Sequence, residues 1–148
     1  MKSIVQLIFV VLVALLFSSQ IFAQTAADKV VGVWLTQNKD GKIEIYKAGN
    51  QYYGKLVWGK ELYEKDGKTL KKDIQNPDKK LQSRTLLNLV LLTGFLYKDE
   101  YWQEGKIYDP ESGKTYNSII KLEGNKLKLT GYIGITLFGR TEVWERVK

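Results

Sequence analysis

The stretch DGKIEIYKAGN, residues 40–50, decides the fold. Apolar and charged residues alternate within it, with Ile43 and Ile45 on one face and Lys42 and Glu44 on the other. This period of two is typical of a β-strand that buries one face. Asp-Gly before the alternation and Ala-Gly-Asn after it are turn signals. The stretch therefore predicts a strand that enters and leaves through tight turns.

The same period recurs along most of the chain. Glycine at position 54 predicts a bend or bulge inside the third strand. About eight short strands in hairpin order indicate an all-β fold, either an antiparallel up-and-down β-barrel or a sandwich. A barrel of this size encloses packed side chains or one small ligand. The predicted strands are Gly32–Thr36, Lys42–Lys47, Gln51–Trp58, Leu86–Tyr97, Glu100–Tyr108, Lys114–Leu122, Lys126–Thr130 and Arg140–Val147. For the apolar Leu86–Tyr97 a short helix is the alternative, which Thr93-Gly94 disfavours.

Residues 59–84 interrupt this rhythm. They are polar, and Lys60 to Arg84 alone holds eight basic and five acidic residues. Asn76-Pro77-Asp78 within them is a turn signal. Excursions of this length between strands are uncommon and are often functional or mobile segments. We expect a solvated insertion at one end of the barrel.

The sequence Ser112-Gly113-Lys114-Thr115 is similar to the tail of a phosphate-binding loop. The full motif needs a glycine five places before Gly113, and Tyr108 stands there. The residues after Thr115 are β-formers rather than the start of a helix. Pro110 and Gly113 suit a hairpin turn, which is the structure we predict for this stretch.

The N-terminus has the pattern of a secretory signal peptide. Lys2 precedes an apolar run from Ile4 to Phe17, and a polar stretch then ends on the small residue Ala23. We expect cleavage after Ala23, with a cut at Ala26 or Ala27 or an uncleaved anchor as the alternatives. The mature chain would be a single barrel domain, residues 24–148, exported to the periplasm or the exterior.

The chain contains no cysteine and no histidine. Disulfides, thiolate nucleophiles, Ser-His-Asp triads and zinc sites of thiolate or imidazole ligands are thereby excluded. No acidic loop with calcium spacing is present, so we expect neither a metal nor a cofactor. The formal charge of +7 comes from lysines interleaved with acids rather than from a basic stripe. We therefore expect no nucleic-acid partner.

Gly32 and Trp34 on the first predicted strand, together with Arg140 and Arg146 on the last, resemble the signature of lipocalin and calycin barrels. The resemblance implies that an arginine from the closing strand covers a tryptophan near the start and seals one end. A guanidinium can lie flat on an indole while keeping its hydrogen bonds. Trp144 belongs to the same structural signature.

Several spaced motifs follow one another along the chain. They are Gly32-Val33-Trp34, Tyr53-Gly54-Lys55, Asp73-x-x-Asn76-Pro77-Asp78, Arg84, Gly105–Pro110, Gly113–Tyr116, Gly131–Gly134, Gly139–Thr141 and Trp144. With these motifs the chain as a whole resembles a family of exported bacterial proteins named domain of unknown function 2147. The resemblance implies a lipocalin-like barrel in the cell envelope and no assigned activity. Asn88 departs from the family pattern, where glycine is expected, but asparagine tolerates positive φ.

Three functions are compatible with the sequence. The first is a module that binds a small apolar or amphipathic ligand, although the four tryptophans and nine tyrosines could equally fill a core. The second is an enzyme using Asp73, although an Asp73–Arg84 ion pair that pins the insertion is the simpler interpretation. The third is an interaction protein whose lysine-rich residues 60–84 contact anionic lipid or an acidic partner. We expect a monomer. The candidate ligand contacts are Trp58, Asp73, Asn76, Arg84, Tyr108 and Tyr116.

Overall fold

The computed structural model describes residues 26–135 and 139–148. The predicted signal peptide and the middle of the apolar connection before Arg140 lie outside these residues. The described chain contains one short 3₁₀ helix, Asp28–Val30, followed by strands. These strands are β1 (Gly32–Leu35), β2 (Gly41–Ala48), β3 (Gln51–Gly59), β4 (Val90–Lys98), β5 (Tyr101–Asp109), β6 (Lys114–Glu123), β7 (Lys126–Tyr132) and β8 (Arg140–Arg146).

The eight strands form a closed antiparallel barrel in sequence order. Each strand pairs with the next, and β1 pairs with β8 through Trp34–Arg146 and Leu35–Glu145. The predicted up-and-down β-barrel is therefore confirmed, and the sandwich alternative is not observed. Alternation decides which residues are inside: Ile43 and Ile45 are 2% and 1% exposed, as the pattern of β2 predicts.

Backbone geometry confirms the turn predicted at Gly113 and the irregularity predicted at Gly54. Gly113 has φ 69° and its N–H donates to the Asp109 carbonyl oxygen at 2.8 Å, as in a hairpin turn. Gly54 lies where the register between β3 and β4 shifts. A Cβ atom at position 54 would be 2.8 Å from Leu92 Cδ1, so this irregular place on β3 has no room for a side chain.

The prediction of a strand over Leu86–Tyr97 is wrong at its start, because β4 begins at Val90. Asn88 has φ 64°, a left-handed conformation that an extended strand excludes. Its N–H donates to the Leu56 carbonyl oxygen at 2.7 Å, and the Leu56 N–H donates to Leu89 at 2.9 Å. The apolar residues before β4 therefore return the long insertion to β3 instead of extending the sheet.

One end of the barrel, called here the closed end, is sealed by the 3₁₀ helix. Trp34 Nε1 donates to the Val30 carbonyl oxygen at 2.8 Å, and Trp102 Nε1 donates to Ala27 at 3.0 Å. Each indole N–H thus has a partner although both rings are 2% exposed or less. These bonds fix the N-terminal segment across the barrel.

Arg146 covers the outer side of this seal. Its guanidinium carbon lies 4.2 Å from the centre of the Trp34 ring, and its Nη1 donates to the Val31 carbonyl oxygen at 2.9 Å. Its Nη2 donates to Lys29. The arginine that the resemblance assigns to the seal is therefore Arg146. Arg140, named beside it in the sequence prediction, lies at the other end of β8 and takes no part.

Asp28 ties the 3₁₀ helix to the barrel wall. Its Oδ1 accepts a hydrogen bond from the Tyr52 hydroxyl at 2.6 Å and one from Lys47 Nζ at 2.9 Å. The hydrogen bond from Tyr52, followed by the one from Lys47, holds the pKa of Asp28 below its ordinary value. Burial, and then the same hydrogen bond, raises the pKa of Tyr52.

Candidate ligand-binding site

The other end of the barrel, called here the open end, carries a cleft of about 610 Å³. In an up-and-down barrel alternate connections share an end, so residues 36–40, 60–89 and 110–113 lie together there with the described residues 133–135 and 139. The volume falls within the range of about 300–1,000 Å³ that small-molecule sites have. The residues that line this open-end cleft are Leu91, Ile107, Tyr108, Asp109, Pro110, Tyr116, Leu129, Gly131, Tyr132, Ile133, Arg140 and Glu142.

The interior of the barrel continues into the cleft, as the alternation along β8 shows. Trp144 is 3% exposed in the core, and Arg146 lies over Trp34 on the same face of the strand. Glu142 and Arg140 share that face, because successive residues of a strand point to opposite sides. The cleft therefore stands above the core and ends in two charged residues.

The floor of the cleft is apolar, and a glycine makes room in it. Gly131 on β7 faces Ile107 and Tyr116: a Cβ atom there would lie 3.5 Å from Ile107 Cγ2 and 3.8 Å from Tyr116 Cβ. These are ordinary contact distances, so a larger side chain at position 131 would extend into the space between the strands. Leu129, 3% exposed, joins this floor to the core.

Arg140 is the one cation among the described residues that line the cleft. Its side chain is 79% exposed, and its Nη2 lies 3.7 Å from Glu142 Oε1. Glu142 Oε2 accepts a hydrogen bond from Trp144 Nε1 at 3.1 Å. Glu142 is thus held by the core, whereas the guanidinium keeps most of its donors toward solvent. An anionic group entering the cleft could bind these donors.

Asp73 is the most buried charged group beside the cleft, with 0% exposure. Its Oδ2 accepts hydrogen bonds from Arg84 Nε at 2.9 Å and Asn76 Nδ2 at 2.9 Å, and Arg84 Nη2 lies 2.8 Å away. Its Oδ1 accepts from the Tyr108 hydroxyl at 2.6 Å. The Asp73–Arg84 ion pair is confirmed, and the hydrogen bond from Tyr108 to Asp73 attaches the 60–89 segment to β5.

The same contacts determine the state of Tyr108. Its hydroxyl also accepts a hydrogen bond from Asn76 Nδ2 at 3.2 Å, and the Arg84 guanidinium lies 5.6 Å from the centre of its ring. Burial, followed by the hydrogen bond to Asp73, raises the pKa of Tyr108 above its ordinary value. Tyr108 therefore stays protonated and serves both the cleft wall and the anchor of the segment.

The structure brings together five of the six predicted ligand contacts. Tyr108 and Tyr116 line the cleft, while Asp73, Asn76 and Arg84 hold Tyr108 from the side of the 60–89 segment. Trp58 does not line this cleft. It is 40% exposed, and Lys42 Nζ lies 5.3 Å from the centre of its ring. The role of all six residues as ligand contacts remains a prediction.

Several cleft residues were missed by the sequence prediction, notably Arg140 as a cleft residue. Arg140 was assigned to the seal, and Glu142 was not among the predicted ligand contacts. Alternation with Trp144 was the available signal, since it places both residues on the interior face of β8. Alternation alone does not show that Arg140 and Glu142 lie at the open end. The position of the 3₁₀ helix at the opposite end of the barrel shows it.

The described residues contain neither a carboxylate cluster for a metal ion nor a membrane-spanning helix. Within residues 26–135 and 139–148 no cluster of three or more aspartate or glutamate side chains could hold a metal ion. Over the same ranges there is no helix whose length and hydropathy would let it cross a bilayer.

Comparison with known proteins identifies the family. The sequence model described as "Uncharacterized protein conserved in bacteria (DUF2147)" matches residues 32–146. The chain belongs to this family. The match begins at β1 and ends at Arg146, so it spans the whole barrel of this DUF2147 protein.

A solved structure supports the architecture. Protein HP1028 from Helicobacter pylori, whose title states that it belongs to the lipocalin family, superposes with a TM-score of 0.70. The sequences are 25% identical, and the match covers 81% of this chain and 84% of that one. No curated protein matches this chain in sequence. The DUF2147 protein thus has a lipocalin-like barrel.

Proposed function

We propose that this DUF2147 protein binds one small amphipathic molecule in the open-end cleft. The observation that carries the proposal is an apolar cleft of about 610 Å³ above the core, with Arg140 as its one cationic lining residue among those described. The apolar part of the ligand would lie against Ile107, Tyr116 and Leu129. The lipocalin-like neighbour supports a barrel that binds a small molecule.

The surroundings of Arg140 support an anionic group on the ligand. Its carboxylate neighbour Glu142 is 3.7 Å away and already accepts a hydrogen bond from Trp144. The guanidinium can therefore form a bidentate pair with an incoming carboxylate or phosphate, for which its geometry is suited. The ligand class is then an amphipathic anion with a short apolar body.

The environment of Asp73 supports a structural role rather than catalysis. Both of its carboxylate oxygens are occupied by Arg84, Asn76 and Tyr108, and the residue is buried. A general base needs a lone pair within reach of its substrate. We therefore assign Asp73 to the anchoring of the 60–89 segment.

The proposal also includes an exported monomer. The N-terminal pattern of Lys2, an apolar run and Ala23 supports export. The described strands form a closed barrel, and closure leaves no strand edge free for pairing with another chain. Neither statement is needed for the binding of a ligand.

A titration with three probes of equal chain length tests this function: dodecanoate, dodecanol and dodecylamine, followed by tryptophan emission. Trp144, linked to the cleft through Glu142, should report occupancy. We expect dodecanoate to bind at least about tenfold more tightly than dodecanol, because a charge-assisted hydrogen bond contributes about 1.5–3 kcal/mol. Arg140→Met should remove this preference and leave dodecanol binding unchanged.

The outcomes separate the two parts of the proposal. If no probe binds, the cleft is not a site for amphipathic molecules. If dodecanol or dodecylamine binds as tightly as dodecanoate, the cleft binds amphiphiles but Arg140 does not select an anion.

A further inference from the structure

Exposed apolar side chains are concentrated at the open end. Among the described residues, seven large apolar side chains are exposed, and six of them belong to the open end. Val31, beside the 3₁₀ helix, is the exception. Isolated exposed apolar residues are normal on soluble proteins, whereas a concentration at one end of a molecule indicates a contact surface. The six are Trp58 (40%), Tyr63 (48%), Ile74 (65%), Leu81 (40%), Ile133 (77%) and Ile135 (59%).

Two of these residues belong to the surroundings of the cleft. Ile133 lines it, at the start of the connection between β7 and β8. Ile74 lies between Asp73, which is bonded to Tyr108, and Gln75, whose backbone leaves no room for a side chain at Gly113. Exposed apolar side chains therefore occur on the cleft lining and on the part of the 60–89 segment that contacts the wall of the cleft.

Lysines accompany the apolar rim. The 60–89 segment contains seven lysines, and only Lys71 forms an ion pair with a described residue, Glu61 at 3.4 Å. The one arginine of the segment, Arg84, is paired with the buried Asp73. The seven lysines outnumber the four exposed carboxylates Glu61, Glu64, Asp66 and Asp78, so the net exposed charge of the segment is positive, which complements an anionic surface.

We propose that the open end docks on an anionic lipid surface, with the apolar rim inserted and the mouth of the cleft facing the bilayer. Apolar side chains among lysines are the combination with which proteins bind the headgroup region. An acidic soluble partner would satisfy the lysines alone and would leave Ile74, Ile133 and Ile135 without apolar contacts. The proposal does not depend on whether the cleft holds a ligand.

The test measures the partitioning of the protein onto vesicles. The chain is prepared from Gln24 onward, because the apolar residues before it would themselves bind lipid, whereas the eight strands and the core residues of the described chain all follow it. Co-sedimentation with phosphatidylglycerol–phosphatidylcholine vesicles should show binding, and vesicles of phosphatidylcholine alone should bind far less. Binding should weaken as salt rises from about 0.1 M to about 1 M, since the screening length falls from about 10 Å to about 3 Å.

Matched variants separate the open end from the closed end. Ile74→Ser with Ile133→Ser should lower the partition coefficient at least about tenfold, and Val31→Ser at the closed end should change it less than about twofold. Lys79→Gln with Lys80→Gln should also lower it about tenfold. The same charge removed at the closed end, by Lys98→Gln with Lys126→Gln, should have a much smaller effect. Circular dichroism verifies that every variant is folded.

Three results would overturn the proposal. The first is no binding to phosphatidylglycerol vesicles. The second is an equal loss from the open-end and closed-end variants, which would mean that no particular face docks. The third is a loss caused by the lysine variants alone, with binding to soluble polyglutamate as strong as to vesicles. That result would identify an acidic soluble partner instead of a lipid surface.

Discussion

Arg140 and Arg146 stand on the same face of β8, six residues apart, and have different neighbours. Arg146 covers the ring of Trp34 and donates to the backbone of the N-terminal segment. Arg140 has a 79% exposed side chain at the rim of the cleft. The alternation of a strand places both residues inside or at the ends of the barrel, but it does not say which end each one reaches. The sequence therefore predicted an arginine seal without choosing between them.

Replacing each arginine by alanine should separate their roles. Arg146→Ala should lower the free energy of unfolding by about 2 kcal/mol, because it removes the cation–π contact and two hydrogen bonds to backbone carbonyls. Arg140→Ala is the matched control and should change it by less than about 0.5 kcal/mol. Urea unfolding followed by circular dichroism provides the measurement. Equal effects of the two substitutions would contradict the assignment of the seal to Arg146.

Asp28 makes stability depend on pH in a defined direction. Its pKa in the folded protein is held below the ordinary value by Tyr52 and Lys47. It therefore contributes stability above the unfolded pKa of about 3.9, and this contribution is lost as pH falls through the folded pKa. Because its side chain is 42% exposed, the effect should be below about 1 kcal/mol.

Asp28→Asn should accordingly make the unfolding temperature less dependent on pH below about 4. Thermal unfolding measured between about pH 2 and pH 5 checks this expectation. Glu100→Gln, which alters an exposed residue of the turn between β4 and β5, is the control. An unchanged pH profile in Asp28→Asn would show that the carboxylate does not fasten the 3₁₀ helix.

At the scale of elements, the strands were predicted more accurately than the segment that joins β3 to β4. The alternation of Ile43 and Ile45 is a local property, and it predicts β2 without knowledge of the rest of the chain. The start of β4 is different, because Leu86, Leu87 and Leu89 would be apolar both in the strand and in the connection before it. Only the left-handed backbone of Asn88 and its hydrogen bond to Leu56 exclude them from the strand.

The 60–89 segment is fixed by contacts that sequence spacing cannot reveal. Asp73 and Arg84 were predicted as a pair, but Tyr108, thirty-five residues beyond Asp73, completes the anchor. The segment also has two short antiparallel bridges, Tyr63–Leu70 and Lys72–Thr85. Among the described residues, backbone hydrogen bonds outside the strands join this segment to the rest of the chain near its two ends, at Lys60, Asn88 and Leu89. We therefore infer that the position of its middle on the barrel depends on the buried carboxylate of Asp73.

Arg84→Ala should release this segment while the barrel remains folded. The substitution leaves the buried Asp73 without its cationic partner, a loss that typically costs about 3–5 kcal/mol when the site cannot relax. Local opening relieves that cost, so limited proteolysis should cut residues 60–89 faster. Lys71→Ala, which removes an exposed ion pair with Glu61, is the control and should leave the rate near wild type. A wild-type rate in Arg84→Ala would mean that another contact anchors the segment.

For the whole molecule, the barrel is closed at one end and carries the cleft at the other. The eight-stranded barrel could be predicted from hairpin order, since each strand pairs with its neighbour in sequence. The cleft could not, because its walls come from five strands, β4 to β8. Whether a barrel interior is filled or open depends on the combined volume of the inward-facing side chains of all its strands. Gly131 and the core residue Leu129 show this at the floor of the cleft.

Native mass spectrometry of protein purified from the cells that produce it shows most directly whether the open-end cleft holds a small molecule. The same sample is then measured under denaturing conditions. Gly131→Leu is the matched variant, because its side chain would extend between Ile107 and Tyr116 into the cleft. We predict a discrete extra mass on the wild-type protein that is lost on denaturation and is absent from Gly131→Leu. A wild-type protein without added mass, or the same added mass on the variant, would contradict the account.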